Sequence, residues 1–134
     1  MEQDQQELMF RFQMFEQQVQ QLGQQLDAVE RGIIEMTSLN IGLNELVGGK
    51  NKEIMAPVGR GIFAQAKLLS DELLVDIGEG KLVKKSIPDT QKLIEEQVKK
   101  LGQAKIELNN AMEQINEELT KTMIEAQKKQ KSKE

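Results

Sequence analysis

The residues of this chain that could do chemistry are few, and their spacing rules most of them out. Two Gly-x-Gly triplets, Gly59-Arg60-Gly61 and Gly78-Glu79-Gly80, and the run Gly48-Gly49-Lys50 are of the type that cradles phosphate, because glycine lets backbone N–H groups converge on an anion. None is complete. No third glycine follows either triplet at dinucleotide spacing, and Lys50 precedes Asn51 where a P-loop needs Ser or Thr. The paired carboxylates Glu95-Glu96 and Glu117-Glu118 are neighbours in a helical pattern, so they face different directions and read as solvated faces, not as an acid/base pair. The absence of Cys and His removes thiol nucleophiles, disulfides, Ser-His-Asp triads and the usual zinc ligand sets together. No catalytic residue, metal ligand or cofactor is expected, and the chain reads as a non-enzyme.

The side chains in need of a purpose are apolar. "LMFRFQMF", residues 8–15, holds three of the four phenylalanines and two of the seven methionines, where chains are ordinarily polar and frayed. Such a cluster does binding chemistry, withdrawing apolar surface from water, and methionine, unbranched and polarizable, fits many shapes. Which of these side chains are available for it depends on the elements that carry them.

Periodicity defines those elements. Leu8, Phe12, Phe15, Val19, Leu22, Leu26, Val29, Ile33, Met36, Asn40, Leu43 and Val47 alternate spacings of four and three, an a/d heptad repeat. Ile94, Val98, Leu101, Lys105, Leu108, Met112, Ile115, Leu119, Thr122 and Ala126 repeat the pattern in the second half. Each run predicts a helix about 50 to 60 Å long at 1.5 Å per residue. Gly48 and Gly49 are expected to stop the first helix, since glycine accepts the left-handed C′ conformation. Ser86, with Asp89 three residues on and Pro88 in the first turn, is expected to cap the second.

Between the helices, "KEIMAPV", "IFAQAKL", "ELLVDI" and "KLVKKSI" read as short strands, separated by "VGRG", "LSDE" and "IGEG" as turns. They make two β-hairpins. So short a segment cannot build its own core, and its outer strands leave backbone groups unpaired. The expectation is an oligomer, with Ile54, Ile62, Phe63, Leu73, Val75, Ile77, Leu82 and Val83 filling a shared sheet or barrel. The fold class is therefore mainly α with a small β part: a long antiparallel coiled-coil hairpin with two central β-hairpins that oligomerise into a β-barrel body. Its segments are residues 1–49, 50–87 and 88–134, within one domain.

An antiparallel return makes residues whose numbers add to about 138 face each other, which places Phe15 near Met123, Phe12 near Ala126 and Val47 near Gln91. Asn40 then lies near Val98 and Lys105 near Ile33, so these polar seam residues do not pair with each other and read as fixing register, and the seam position Thr122 is polar as well. Both chain ends reach a tip remote from the strands. There Leu8, Phe12 and Phe15 belong to the seam, while Met9 falls at e, Phe10 at f and Met14 at c. On the returning helix Met123 and Ile124 take e and f, beside Phe15 and Met14. Phe10, Met14, Met123 and Ile124 thus form an outward apolar patch, a candidate interaction surface, with Met9 beside it. Off-seam Ile34, Leu39, Ile41 and Leu46 are expected to pack on the strand body.

Composition agrees with an elongated protein: only 3% of residues are aromatic, and Trp and Tyr are absent. The net charge of −4 is spread so that no basic, aromatic-bearing surface of the nucleic-acid-binding kind arises. The lysine-rich tail "KKQKSKE", 128–134, reads as a solvated, disordered end before it reads as a docking arm. Neither a signal peptide nor a membrane span is expected, which predicts a cytoplasmic protein with no membrane or nucleic-acid partner.

The order helix, two β-hairpins, helix resembles the α-type subunit of archaeal prefoldin. The specific residues are Met55, Pro57, Val58, Gly59, Gly61 and Phe63 of "IMAPVGRGIF", then Val75, Ile77, Gly78 and Gly80 of "LLVDIGEGKLVKK". Lys81 stands where the family commonly has an aromatic residue. The resemblance implies a hexamer of two α-type and four β-type subunits, with Pro57 and Val58 among the residues of its double-barrel body. It implies an ATP-independent holdase that captures non-native proteins at coiled-coil tips, through Met9, Phe10, Met14, Met123 and Ile124 here, and passes them to a group II chaperonin. Two other classes remain open: a structural or filament-forming coiled-coil protein, and an adaptor whose tip recognises one folded partner.

Overall fold

The computed structural model describes residues 2–131. Its elements run α1 (Glu2–Asn44), β1 (Glu53–Gly59), β2 (Ile62–Lys67), β3 (Glu72–Asp76), β4 (Leu82–Ser86) and α2 (Ile87–Lys131). The chain divides into two compact units, one of Met1–Gly32 with Lys100–Glu134 and one of Ile33–Lys99.

The first unit is a pair of antiparallel helical segments. Every seam position expected within it is buried or half-buried, from Leu8 through Val29 on α1 and from Leu101 through Ala126 on α2. The register differs from expectation by about one turn. A Cβ built on Gly23 would lie 3.8 Å from Cε of Met112, and one on Gly32 3.3 Å from Cδ1 of Leu101. Lys105 Nζ lies 3.5 Å from Glu30 Oε1, about one turn before Ile33. Numbers in these pairs add to between 133 and 135, not 138. The tail expected to be disordered continues α2 as far as Lys131, and its last residues, 132–134, lie outside the described part.

The second unit explains the register. α1 ends at Asn44, short of Gly48, and the chain then tightens: Glu45, Leu46 and Val47 N–H groups donate to the carbonyls of Gly42, Leu43 and Asn44. Three residues per turn instead of 3.6 rotates the following side chains. Leu46 turns into the core and Val47, expected in the seam, is 59% exposed. Gly48 does adopt the left-handed conformation, φ 67°, but ends this turn and not the helix itself. The core is small: Leu43, Ile87 and Ile94 are buried, with Met36, Leu46, Leu73 and Val98 packed on them. Of the off-seam residues expected on the strand body, Leu46 joins this core and Leu39, though 53% exposed, borders a groove that β3 also lines, whereas Ile34 and Ile41 are exposed.

α2 starts where its cap is written. The Asp89 N–H donates to Ser86 Oγ at 3.2 Å, and Thr90 Oγ1 donates back to the Ser86 carbonyl at 2.9 Å. The strands form two separate antiparallel sheets, β1 with β2 and β3 with β4. Their turns share one backbone form: φ is positive at Gly59, Arg60 and Gly61 and again at Gly78, Glu79 and Gly80. Glycines flank one left-handed non-glycine residue in each, a conformation that other residues reach only at a cost of about 1–2 kcal/mol. Thus the two triplets that resemble phosphate cradles are hairpin turns. The second is further fixed by Asp76 Oδ1, which accepts the Gly78 N–H at 2.9 Å.

Candidate interaction surfaces

The hairpins of the second unit carry most of its exposed apolar surface. Across β1 and β2, Ile54 pairs with Ala66 and Ala56 with Ala64, while Met55 pairs with Gln65 and Pro57 with Phe63 on the other face. Ile54, Ala56 and Ala66 are half-buried. Met55, Pro57 and Phe63 are exposed, Phe63 by 55%. Val58 is the extra residue of a bulge between Pro57 and Gly59, so it has no cross-strand partner and stands exposed, as does Ile62.

Across β3 and β4, Leu73 pairs with Lys85 and Val75 with Val83. Leu73 packs on the unit's own core and Val75 is half-buried. Leu74, on the opposite face, is 64% exposed, and Leu82 and Ile77 are exposed too. The assembly residues expected from sequence therefore divide. Leu73 belongs to the subunit core and Ile54 and Val75 are partly covered, while Pro57, Val58, Ile62, Phe63, Ile77, Leu82 and Val83 are open. Sequence reading did not count Met55 and Leu74 among the assembly residues. Leu74 lines an apolar groove of about 740 Å³ with Leu39, Met36, Leu43, Leu73 and Ile94. The signal was present in "ELLVDI", where consecutive apolar residues place greasy side chains on both faces of one strand.

A second surface lies at the end of the first unit that carries residues 8–15. Leu8, Phe12 and Phe15 are half-buried, and Thr122 is only 8% exposed. The polar seam residue is satisfied within its own helix, Oγ1 donating to the Glu118 carbonyl at 2.8 Å. Met9, Phe10, Met14, Met123 and Ile124 are all exposed, Phe10 by 62%.

These five do not gather into one patch. Met14 lines a groove with Arg11, Phe15 and Gln18 of α1 and Glu118, Lys121, Thr122 and Glu125 of α2, and neither Met123 nor Ile124 lines it. Arg11, Gln18, Glu118 and Glu125 all sit at g, which makes this the g flank of the seam. Met9 and Met123 fall at e, on the opposite flank, and Phe10 and Ile124 at f, outermost on their helices. The expected single patch is therefore divided between the flanks of the helix pair, because c lies on the g side of a helix and e on the other, so Met14 and Met123 face different ways whatever the register.

No helix among the described residues is long and apolar enough to cross a membrane. The chain matches the family model of the prefoldin subunit over residues 15–132. It is 32% identical over 125 residues to prefoldin subunit alpha of Methanosarcina barkeri, covering 90% of this chain and 82% of that protein. It is 32% identical over 104 residues to prefoldin subunit alpha of Methanobrevibacter smithii, covering 77% and 71%. The fold is similar to that in a cryo-EM structure of filamentous PFD from Methanocaldococcus jannaschii, with TM-score 0.76 and 20% identity over 86% of this chain and 97% of that one. The helix, double hairpin and returning helix, together with these matches over most of its length, show that the chain belongs to the prefoldin family, whose members are non-enzymatic chaperones.

Proposed function

We propose that this chain is one subunit of an ATP-independent holdase whose hairpins build the oligomer and whose helix ends hold non-native proteins. The observation that carries the reading is the exposure of Met9, Phe10, Met14, Met123 and Ile124 beside a half-buried seam. Apolar side chains on a solvent face cost solubility, and flexible methionines suit clients of many sequences. Contacts at each end are weak, but several ends in one oligomer raise the effective concentration, so a client is held firmly and each contact still releases without hydrolysis.

Each hairpin strand has one unpaired edge, and the open side chains Val58, Ile62, Phe63, Ile77, Leu82 and Val83 border them. Burial between subunits removes both liabilities. By family likeness the partners are β-type subunits in a hexamer of two α-type and four β-type chains in the cytoplasm, with a group II chaperonin receiving the client. The fold likeness to filamentous PFD supports a second reading, self-assembly into a filament. Native mass measurement of the chain alone and with a β-type subunit separates the two: a six-chain mixed complex supports the first, open-ended growth the second.

The test of client capture is suppression of aggregation of several unrelated denatured proteins by the assembled complex. Phe10→Ser with Met14→Ser weakens protection across all of them while the oligomer mass is unchanged. Equal protection by the double variant would refute the assignment, and protection of one client alone would point to an adaptor.

A further inference from the structure

The proposed client surface is built largely from thioethers, and thioether sulfur has chemistry of its own. Met9, Met14 and Met123 are 64%, 44% and 50% exposed, whereas Met36 and Met112 are half-buried, Met112 with its Cε against Gly23. The chain has no cysteine, so no thiol competes for an oxidant. Met9 and Met123 lie on one flank of the seam and Met14 on the other, so oxidation at the three places a polar group on both sides of the helix pair.

We propose that Met9, Met14 and Met123 form a reversible oxidation site at which a peroxide switches off client capture. The inference rests on the reading of this end as the client surface. In the step, a sulfur lone pair attacks one peroxide oxygen. The S–O bond forms as the O–O bond breaks, the departing hydroxide takes up the proton released from the attacked oxygen, and water leaves. Sulfur is oxidised by two electrons and the peroxide is reduced by the same two. A flexible apolar side chain becomes a strongly polar one, which removes its ability to draw apolar client surface out of water. All three are exposed and lie at e or c, outside the a/d seam that holds the first unit, so the change spares the fold. Methionine sulfoxide reductases, which take each epimer back to the thioether, reverse it.

The experiment treats the complex assembled from the full chain and its partner subunits with limiting hydrogen peroxide, followed by peptide mass spectrometry and aggregation assays. One added oxygen is expected at Met9, Met14 and Met123 before Met36 or Met112, with the oligomer mass otherwise unchanged. Client affinity falls roughly tenfold or more, the loss expected when one fully buried methionine contact is forfeited. MsrA with MsrB restores it. Met55 in β1 is also exposed in the single chain, so the combined Met9→Leu, Met14→Leu, Met123→Leu variant is scored as protection after peroxide relative to before. A ratio near one is expected, and a fall equal to the wild type's would move the effect to Met55 and overturn the proposal. Full protection by wild type oxidised at the three sites overturns it as well. If Phe10→Ser with Met14→Ser still loses protection in that case, the client-surface reading stands and only the oxidation switch fails.

Discussion

The side-chain amide of Gln91 in α2 donates to Oδ1 of Asn44 at 2.6 Å and to the backbone carbonyl of Asn40 at 3.3 Å. One nitrogen thus ties the start of α2 to the end of α1. Gln91→Ala is expected to lower stability by about 1 kcal/mol for the lost hydrogen bonds. Thermal unfolding of the variant measures it, and an unchanged midpoint would mean that water replaces the amide without loss.

Asn40 tells against itself. Its Oδ1 is buried and has no hydrogen-bond partner. Such a group costs about 1–3 kcal/mol, so Asn40→Leu, which keeps the seam filled, is expected to stabilise the protein by about that amount in denaturant titration. A polar a position also restricts which helix register is tolerated, so the leucine variant is expected to show a second assembly species in native mass spectra.

Four helical glycines separate into classes by what a methyl would meet. Nothing lies within 4 Å of a Cβ built on Gly42 or Gly102, so alanine there gains close to the full helix propensity, about 1 kcal/mol each. Gly23→Ala gains similarly with Met112 in ordinary contact, while Gly32→Ala gains less because Leu101 must yield at 3.3 Å. Gly61→Ala, at φ 79°, loses about 1 kcal/mol or more. Chemical denaturation of the five single variants checks the order.

The hairpin face has its own test. Phe63→Ser with Leu82→Ser changes two exposed side chains, one in each sheet, that pack on nothing in the subunit core. Helical content by circular dichroism is expected to stay as in the wild type, and the assembly seen by sedimentation to dissociate. Retained assembly would show that the strand faces are not the contact.

Much of this molecule is legible in its sequence because heptad spacing is a strong signal. Each seam residue from Leu8 to Leu43 and from Ile94 to Ala126 is at least half-buried. The hairpins were legible through turn chemistry at Gly59–Gly61 and Gly78–Gly80. Register was not, because it depends on where α1 stops, and a tightened turn after Asn44 leaves no residue-type signature as clear as Gly48. The division of the outward residues does not depend on it: the heptad letters alone turn Met14, at c, toward the g flank and Met123, at e, toward the other, and register sets only their height along the seam.

Thr122 has one further consequence. Its hydroxyl is bonded within α2, to the Glu118 carbonyl, and reaches nothing across the seam. Drawing the helices apart at that level uncovers Leu8 and Ala126 but breaks no hydrogen bond of this buried threonine. At this level Thr122 adds burial to the seam without adding a bond across it, so what this residue contributes to closure is contact area, which parts and re-forms without a hydrogen bond of its own to break.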